Sequence, residues 1–169
     1  MNLSSLVKQY PNVAIFCRNH KNLLDEAVPI SDGDPTRQIL FRAQKVWRSA
    51  EVAIHTHGPR PIYFLPIDDP DFCIKYVAKV EKVVLDPRDI ESVRKLLKLS
   101  VPASQDEGLW DEDGKPTVRT LYLISNCHSL EKGRWMNFTK LKKLSDNKWI
   151  DESFGYSYAI VHEVSSLNQ

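Results

Sequence analysis

Cys73 to Leu85, read in one-letter code as CIKYVAKVEKVVL, is the stretch that decides the fold. Ile74, Tyr76, Ala78 and Val80 alternate with Lys75, Val77, Lys79 and Glu81. Alternate residues of a strand point to opposite sides, so this spacing predicts a β-strand with one buried face. Lys75 and Lys79 are then left for solvent or a ligand. At Val83 and Val84 both faces turn apolar, which takes that end into the core.

Other strands are expected at Asn12–Arg18 (NVAIFCR), Val52–His57, Ile62–Leu65, Val118–Asn126 and Tyr156–Val164. Asp34-Pro35 carries the chemistry of a helix start: the Asp side chain accepts free backbone N–H groups, and Pro tolerates the first helical position. Ile39, Leu40, Ala43, Val46, Trp47 and Ala50 then repeat at helical spacing, with Arg37, Arg42, Lys45 and Arg48 mainly on the other side. Pro29–Asp34 reads as loop. Asp86-Pro87 repeats the cap signature ahead of Ile90, Val93, Leu96 and Leu97, and Asn137 caps a short helix to Leu144. The whole describes one α+β domain over residues 1–169. Its core runs from 12 to 164, an acidic loop spans 101–116, and a polar tail closes the chain at 165–169.

Composition narrows the function classes. With 169 residues, 42% hydrophobic and 27% charged, the chain can bury a core without staples. A net charge of +1 makes no global case for nucleic acid or membrane, so electrostatic arguments rest on local clusters. Cys17, Cys73 and Cys127 are odd in number and far apart, which points to buried free thiols and a reducing compartment. No apolar run approaches the roughly 20 residues of a membrane span, and Met1–Tyr10 lacks a signal-peptide core, so the cytoplasm is expected.

Several constellations bear on chemistry. His55 and His57, two apart on an expected strand, would share a face and could meet one metal ion, with Cys127, His128, Asp68, Asp69 or Asp71 as further ligands. That arrangement would suit a metal-assisted hydrolase or nuclease. A hydrogen-bonding role is the plainer reading of the pair. Asp68-Asp69-Pro70-Asp71 has the acids of a magnesium-dependent nuclease, but Lys79-Val80-Glu81 carries the partner residues in reversed order, so a capped turn fits better. Nucleophile elbows and phosphate-cradling glycine loops are absent from the sequence. No cofactor is expected, and Cys127-His128 would point to opposite faces.

Lys132–Trp149 (KGRWMNFTKLKKLSDNKW) is more informative. Lys132, Arg134, Lys140, Lys142, Lys143 and Lys148 stand against the single acid Asp146, with Trp135, Phe138 and Trp149 among them. Cations neutralise phosphates and flat rings stack on unpaired bases, so the segment suits nucleic acid. Arg48, Arg60, Lys75 and Lys79 form a second basic set. A third reading is a regulatory partner of antitoxin or immunity type. It would dock through the acidic stretch Asp106–Asp113 around Trp110.

The order of a basic helix with a Trp near its end (Arg37–Arg48), a short apolar strand (Ile62–Leu65), the long strand Ile74–Leu85 closed by Asp86-Pro87, and a tyrosine-rich strand (Tyr156–Val164) resembles the PUA-like β-barrel superfamily, particularly its ASCH and EVE branches. The resemblance spans Thr36–Val164. It implies a small mixed or antiparallel barrel with two to three flanking helices and no chemistry of its own. Such a barrel would read RNA or a modified base in DNA through an aromatic cleft, for which Trp47, Trp135 and Trp149 are the candidates.

Overall fold

The computed structural model describes residues 2–104, 111–114 and 117–168. Four α-helices, α1 (Leu3–Gln9), α2 (Lys21–Gly33), α3 (Arg48–His57) and α4 (Ile90–Leu97), accompany eight strands. The strands are β1 (Val13–Asn19), β2 (Ile39–Ala43), β3 (Arg60–Pro66), β4 (Cys73–Ile74), β5 (Tyr76–Leu85), β6 (Thr120–Ser129), β7 (Met136–Asn137) and β8 (Tyr158–His162). Six of them form one sheet in the order β2-β6-β5-β3-β1-β8, and β4 pairs with β7 separately. Only β1 and β3 run parallel; the other pairings in the large sheet are antiparallel. The α+β class is as expected.

The barrel is not closed. β2 and β8 are edges, and each is covered by irregular chain rather than by the other. Leu40 N–H bonds to Leu99 O beside β2, while Leu144 N–H to Ile160 O and His162 N–H to Lys142 O cover β8. These contacts occupy edge groups that would otherwise template aggregation.

Apolar residues fill both sides of the sheet, which explains its layering. Val13, Ile15 and Cys17 of β1 pack with Ile62 and Phe64 of β3, Tyr122 and Ile124 of β6, and Val7, Leu24, Ala27, Ala50 and Ala53 from α1, α2 and α3. On the opposite face Ala14, Phe16, Tyr63 and Leu65 meet Leu130, Phe138, Leu141 and Ile150 from the chain after β6. Leu40, Leu121 and Leu123 meet Val93 of α4 on the same side.

The long central strand departs from its simple alternation. It breaks at Lys75, so Ile74 belongs to the outer cluster while Tyr76, Ala78 and Val80 belong to the helical side. Bulges between Val77 and Lys79 and between Val80 and Lys82 shift the phase again. Val83 and Val84 do enter two different clusters, as both-sided apolarity required.

Three expected elements change type. Ile39-Leu40-Phe41 are all buried, which the two faces of a strand allow and one helix stripe does not, so this stretch is β2. The helix begins only at Arg48, and Val52–His57 is its body rather than a strand. Pro29–Asp34 is not loop: α2 runs through Pro29 to Gly33 because Leu24, Ala27 and Ser31 are buried against the sheet. For α4 the cap is Asp89, which accepts from Glu91 N–H and Ser92 Oγ, and not Asp86. Asn137 does cap as expected, over a single 3-10 turn, Phe138–Lys140.

Phe16 is fully buried and its ring stacks on Phe138 at 5.9 Å between centroids. Phe16→Ala should therefore cost about 3–5 kcal/mol in urea unfolding. Asp89→Ala, which removes only a cap, should cost about 1 kcal/mol.

Candidate functional site

A cavity of about 710 Å³ opens where β1 ends and turns directly into α2. Cys17, Arg18 and Asn19 supply one wall, and His20, Asn22 and Leu23 of the turn and first helical residues supply the next. Phe41, Arg42 and Ala43 at the end of β2, with Trp47 just before α3, complete the far side. Ser104 and Thr117 line it too, from the two sides of residues 105–116. A crevice beyond the carboxyl end of a strand, beside a helix N-terminus, is a recurrent ligand position in open sheets.

The wall is rich in donors and cations. Arg18, His20 and Arg42 line it, and no carboxylate does among the described residues. The Arg18 guanidinium, however, is drawn to the other face of the sheet: Nη2 donates to Phe154 O at 2.6 Å and the group lies 5.3 Å from the Phe138 ring centroid, and neither phenylalanine lines the cavity. Arg18 Nε is buried without a hydrogen-bond partner among the described residues. Arg42 Nη2 donates to Ser104 O at 3.3 Å.

Trp47 is 1% exposed and lies between Tyr122 and Tyr158, with ring centroids 4.3 and 4.8 Å away. Its Nε1 is likewise buried with no partner among the described residues, although the ring forms part of the cavity wall. Such a donor is normally satisfied, and this one, with almost no accessible surface inside the aromatic stack, is not open to the cavity. Asn19 is already spent: Nδ2 donates to Tyr122 Oη at 3.2 Å, and Oδ1 accepts from His20 N–H at 2.8 Å. Cys17 lines the same cavity, but burial pushes its thiol up to about 12, against a smaller opposing effect of the Tyr122 hydroxyl. It is therefore a thiol and not a nucleophilic thiolate at neutral pH.

The expected cations divide. Arg60 and Lys79 do meet, joined by His128, around a hollow of about 360 Å³ on the outer face of the sheet, with Glu163 at its edge. Glu81, close by on the same strand, accepts from Ser125 Oγ and lines a separate hollow beside α3. Lys75 is not on that surface. Its ammonium bonds to Asp69 at 2.6 Å and Asp71 at 2.8 Å and sits 4.1 Å from the centroid of Trp135. Burial disfavours its charge, but the two carboxylates outweigh that and hold its pKa above the ordinary lysine value. The acid-rich turn is thus a clamp on Lys75 rather than a nuclease centre.

Within the basic segment, Lys132, Lys140 and Lys148 are exposed, and Lys142 lies 5.5 Å from the ring centroid of Trp149, itself 61% exposed. Lys143 pairs with Asp146 at 2.9 Å, and Arg134 donates to Ser166 O. Trp135 Nε1 donates to Leu130 O. The three tryptophans do not share one cleft, since only Trp47 lines the large cavity. Arg48 is exposed at the start of α3.

His55 and His57 stand on α3, where two residues subtend about 200°, so the shared strand face is lost. His57 Nε2 instead meets Val7 O, and no group of three His, Cys, Asp or Glu suited to a metal occurs among the described residues. Of the thiols, Cys17 and Cys127 are buried and Cys73 is half-buried. The acidic stretch with Trp110 lies outside the described residues up to 110; Asp111, Glu112 and Asp113 are exposed.

Arg18, His20 and Arg42 were not singled out from the sequence. The signal available was local: a polar Arg-Asn-His run directly after an apolar strand. Among protein-family models, curated proteins and solved structures, this chain finds no match.

Lys75→Met should leave Asp69, whose side chain is 5% exposed, buried without its cation and cost about 3 kcal/mol by urea unfolding. The raised pKa places this stabilisation fully below lysine's ordinary value, so it should persist at neutral pH and be lost only as pH rises through the elevated folded-state value.

Proposed function

We propose that this protein is a nucleic-acid-binding module that takes one unpaired nucleotide into the cavity at the end of β1. The observation that carries the reading is the composition of the wall: Arg42, His20, Asn22 and Gln44 beside apolar Leu23, Phe41 and Trp47, with no carboxylate among the described lining residues. At about 710 Å³ the cavity falls within the roughly 300–1,000 Å³ typical of small-ligand sites. A base fits the apolar side and a phosphate the cationic side.

The remainder of a strand needs positive charge outside the cavity. Arg60 and Lys79 around the outer hollow, with the exposed Lys132 and Lys140, are the cations available for that role. Binding without catalysis accounts for a cavity whose thiol is held protonated. Three free cysteines fit a reducing, cytoplasmic setting.

Filter-binding titration against single- and double-stranded DNA and RNA at two salt concentrations tests the proposal. Single strands should bind more tightly than duplexes, and affinity should fall as salt rises. Lys79→Met should reduce the salt dependence by about one ion, while Lys75→Met should leave it unchanged because that ammonium is already neutralised. Absence of binding at low salt would refute the reading, since phosphate contacts are strongest there.

A further inference from the structure

The hollow of about 360 Å³ on the outer face of the sheet has a chemistry of its own. Arg60 opens β3, Lys79 lies within β5 and His128 within β6, and these three strands are neighbours. Register sets Lys79 opposite Pro61 on one side and Ser125 on the other, and sets His128 opposite Val77. Neighbouring strands lie about 4.8 Å apart, so two cations and an imidazole stand side by side across the sheet.

Hydrogen bonds fix the surroundings of these groups. Tyr63 is fully buried, and its Oη accepts from Val164 N–H at 3.0 Å and donates to Asn168 Oδ1 at 2.6 Å, which pins residues 164–168 along one wall. Asn126, at φ 51°, takes a left-handed conformation that Asn tolerates better than most residues, where the β5–β6 pairing is irregular. His128 Nδ1 donates to Asn126 O at 3.3 Å, which leaves Nε2 for a ligand. Arg60 Nε donates to Pro59 O at 2.9 Å and Nη1 donates to Pro11 O, so carbonyls orient the guanidinium without neutralising it.

The charges of the hollow are unspent. Ion pairs among the described residues join Lys21 to Asp25, Lys75 to Asp69 and Asp71, Arg119 to Asp86, and Lys143 to Asp146. Arg60, Lys79 and Glu163 all stand outside them. Glu163 follows β8 at the rim, and its carboxylate meets only Asn168 Nδ2, at 3.5 Å. An ionised carboxylate accepts and cannot donate. Beside a bound phosphate it is repelled unless the ligand also brings a donor. The complement of this hollow is therefore a ligand that carries an anionic group and a hydroxyl together.

We infer that the hollow holds one ribonucleotide of the bound strand, its phosphate on Arg60 and Lys79 and its 2′-hydroxyl donating to Glu163. This rests on the nucleic-acid reading and makes it specific to RNA. DNA offers the same phosphate but no hydroxyl at that position of the sugar.

The test compares single strands of one sequence as RNA, DNA and 2′-O-methyl RNA, by fluorescence anisotropy with the full chain. RNA should bind about tenfold more tightly than either of the others, because both lack the donor. Glu163→Ala should keep the melting temperature and bring the RNA and DNA affinities together, while Glu163→Gln, which retains an acceptor oxygen, should keep part of the preference. Lys79→Met should weaken RNA binding several-fold. Equal affinity for RNA and DNA, or a preference for DNA, overturns this inference and leaves the nucleic-acid reading standing. A preference for RNA that survives in Glu163→Ala, or RNA binding that Lys79→Met does not weaken, overturns it as well. Binding of no strand overturns both.

Discussion

A sheet apolar on both faces must be covered twice, and the rest of this structure follows from that requirement. β1 and β3 carry buried side chains at nearly every position. At roughly 25 cal/mol per Å² of apolar surface, exposing either side would be costly. α1, α2 and α3 cover one face. On the other, α4 covers β2 and β6, and the chain after β6 covers β1, β3 and β8. The basic segment is therefore a structural layer first: Phe138, Leu141 and Ile150 anchor it, and its lysines are what remains outside.

The same layering makes the cavity. Layers cover the faces of a sheet but not the ends of its strands, so polar residues collect where β1 and β2 finish. Asn19, Tyr122 and Cys17 interlock there, and the Tyr122–Trp47–Tyr158 stack fixes the wall behind them. Neighbouring basic residues part company there: Phe154 and Phe138 hold the Arg18 guanidinium on the other face of the sheet, while the short passage from strand to helix leaves His20 at the cavity.

Much of the fold was legible in the sequence because strands with consecutive or alternating apolar residues are read from spacing alone. β1, β3, β6 and β8 fall where expected, with boundaries moved by a few residues. The reading failed between Thr36 and His57. There Ile39, Leu40, Ala43, Val46 and Trp47 satisfy helical spacing, yet a strand that fills both faces uses the first of them better. Pro29 was similarly misleading, because burial of Leu24 and Ala27 outweighs the cost of a proline within a helix.

The sequence by itself determined the class of the fold, the placement of its long strands and the basic character of Lys132–Trp149, since these depend on local period and composition. Only the tertiary structure decided which cations are available. Lys75 sits at the break between β4 and β5, four residues before Lys79, and the acid-rich turn neutralises the one and leaves the other exposed. His20, Arg42 and Trp47 line one cavity only because the ends of β1 and β2, distant in sequence, converge there, and residue spacing carries no record of that meeting.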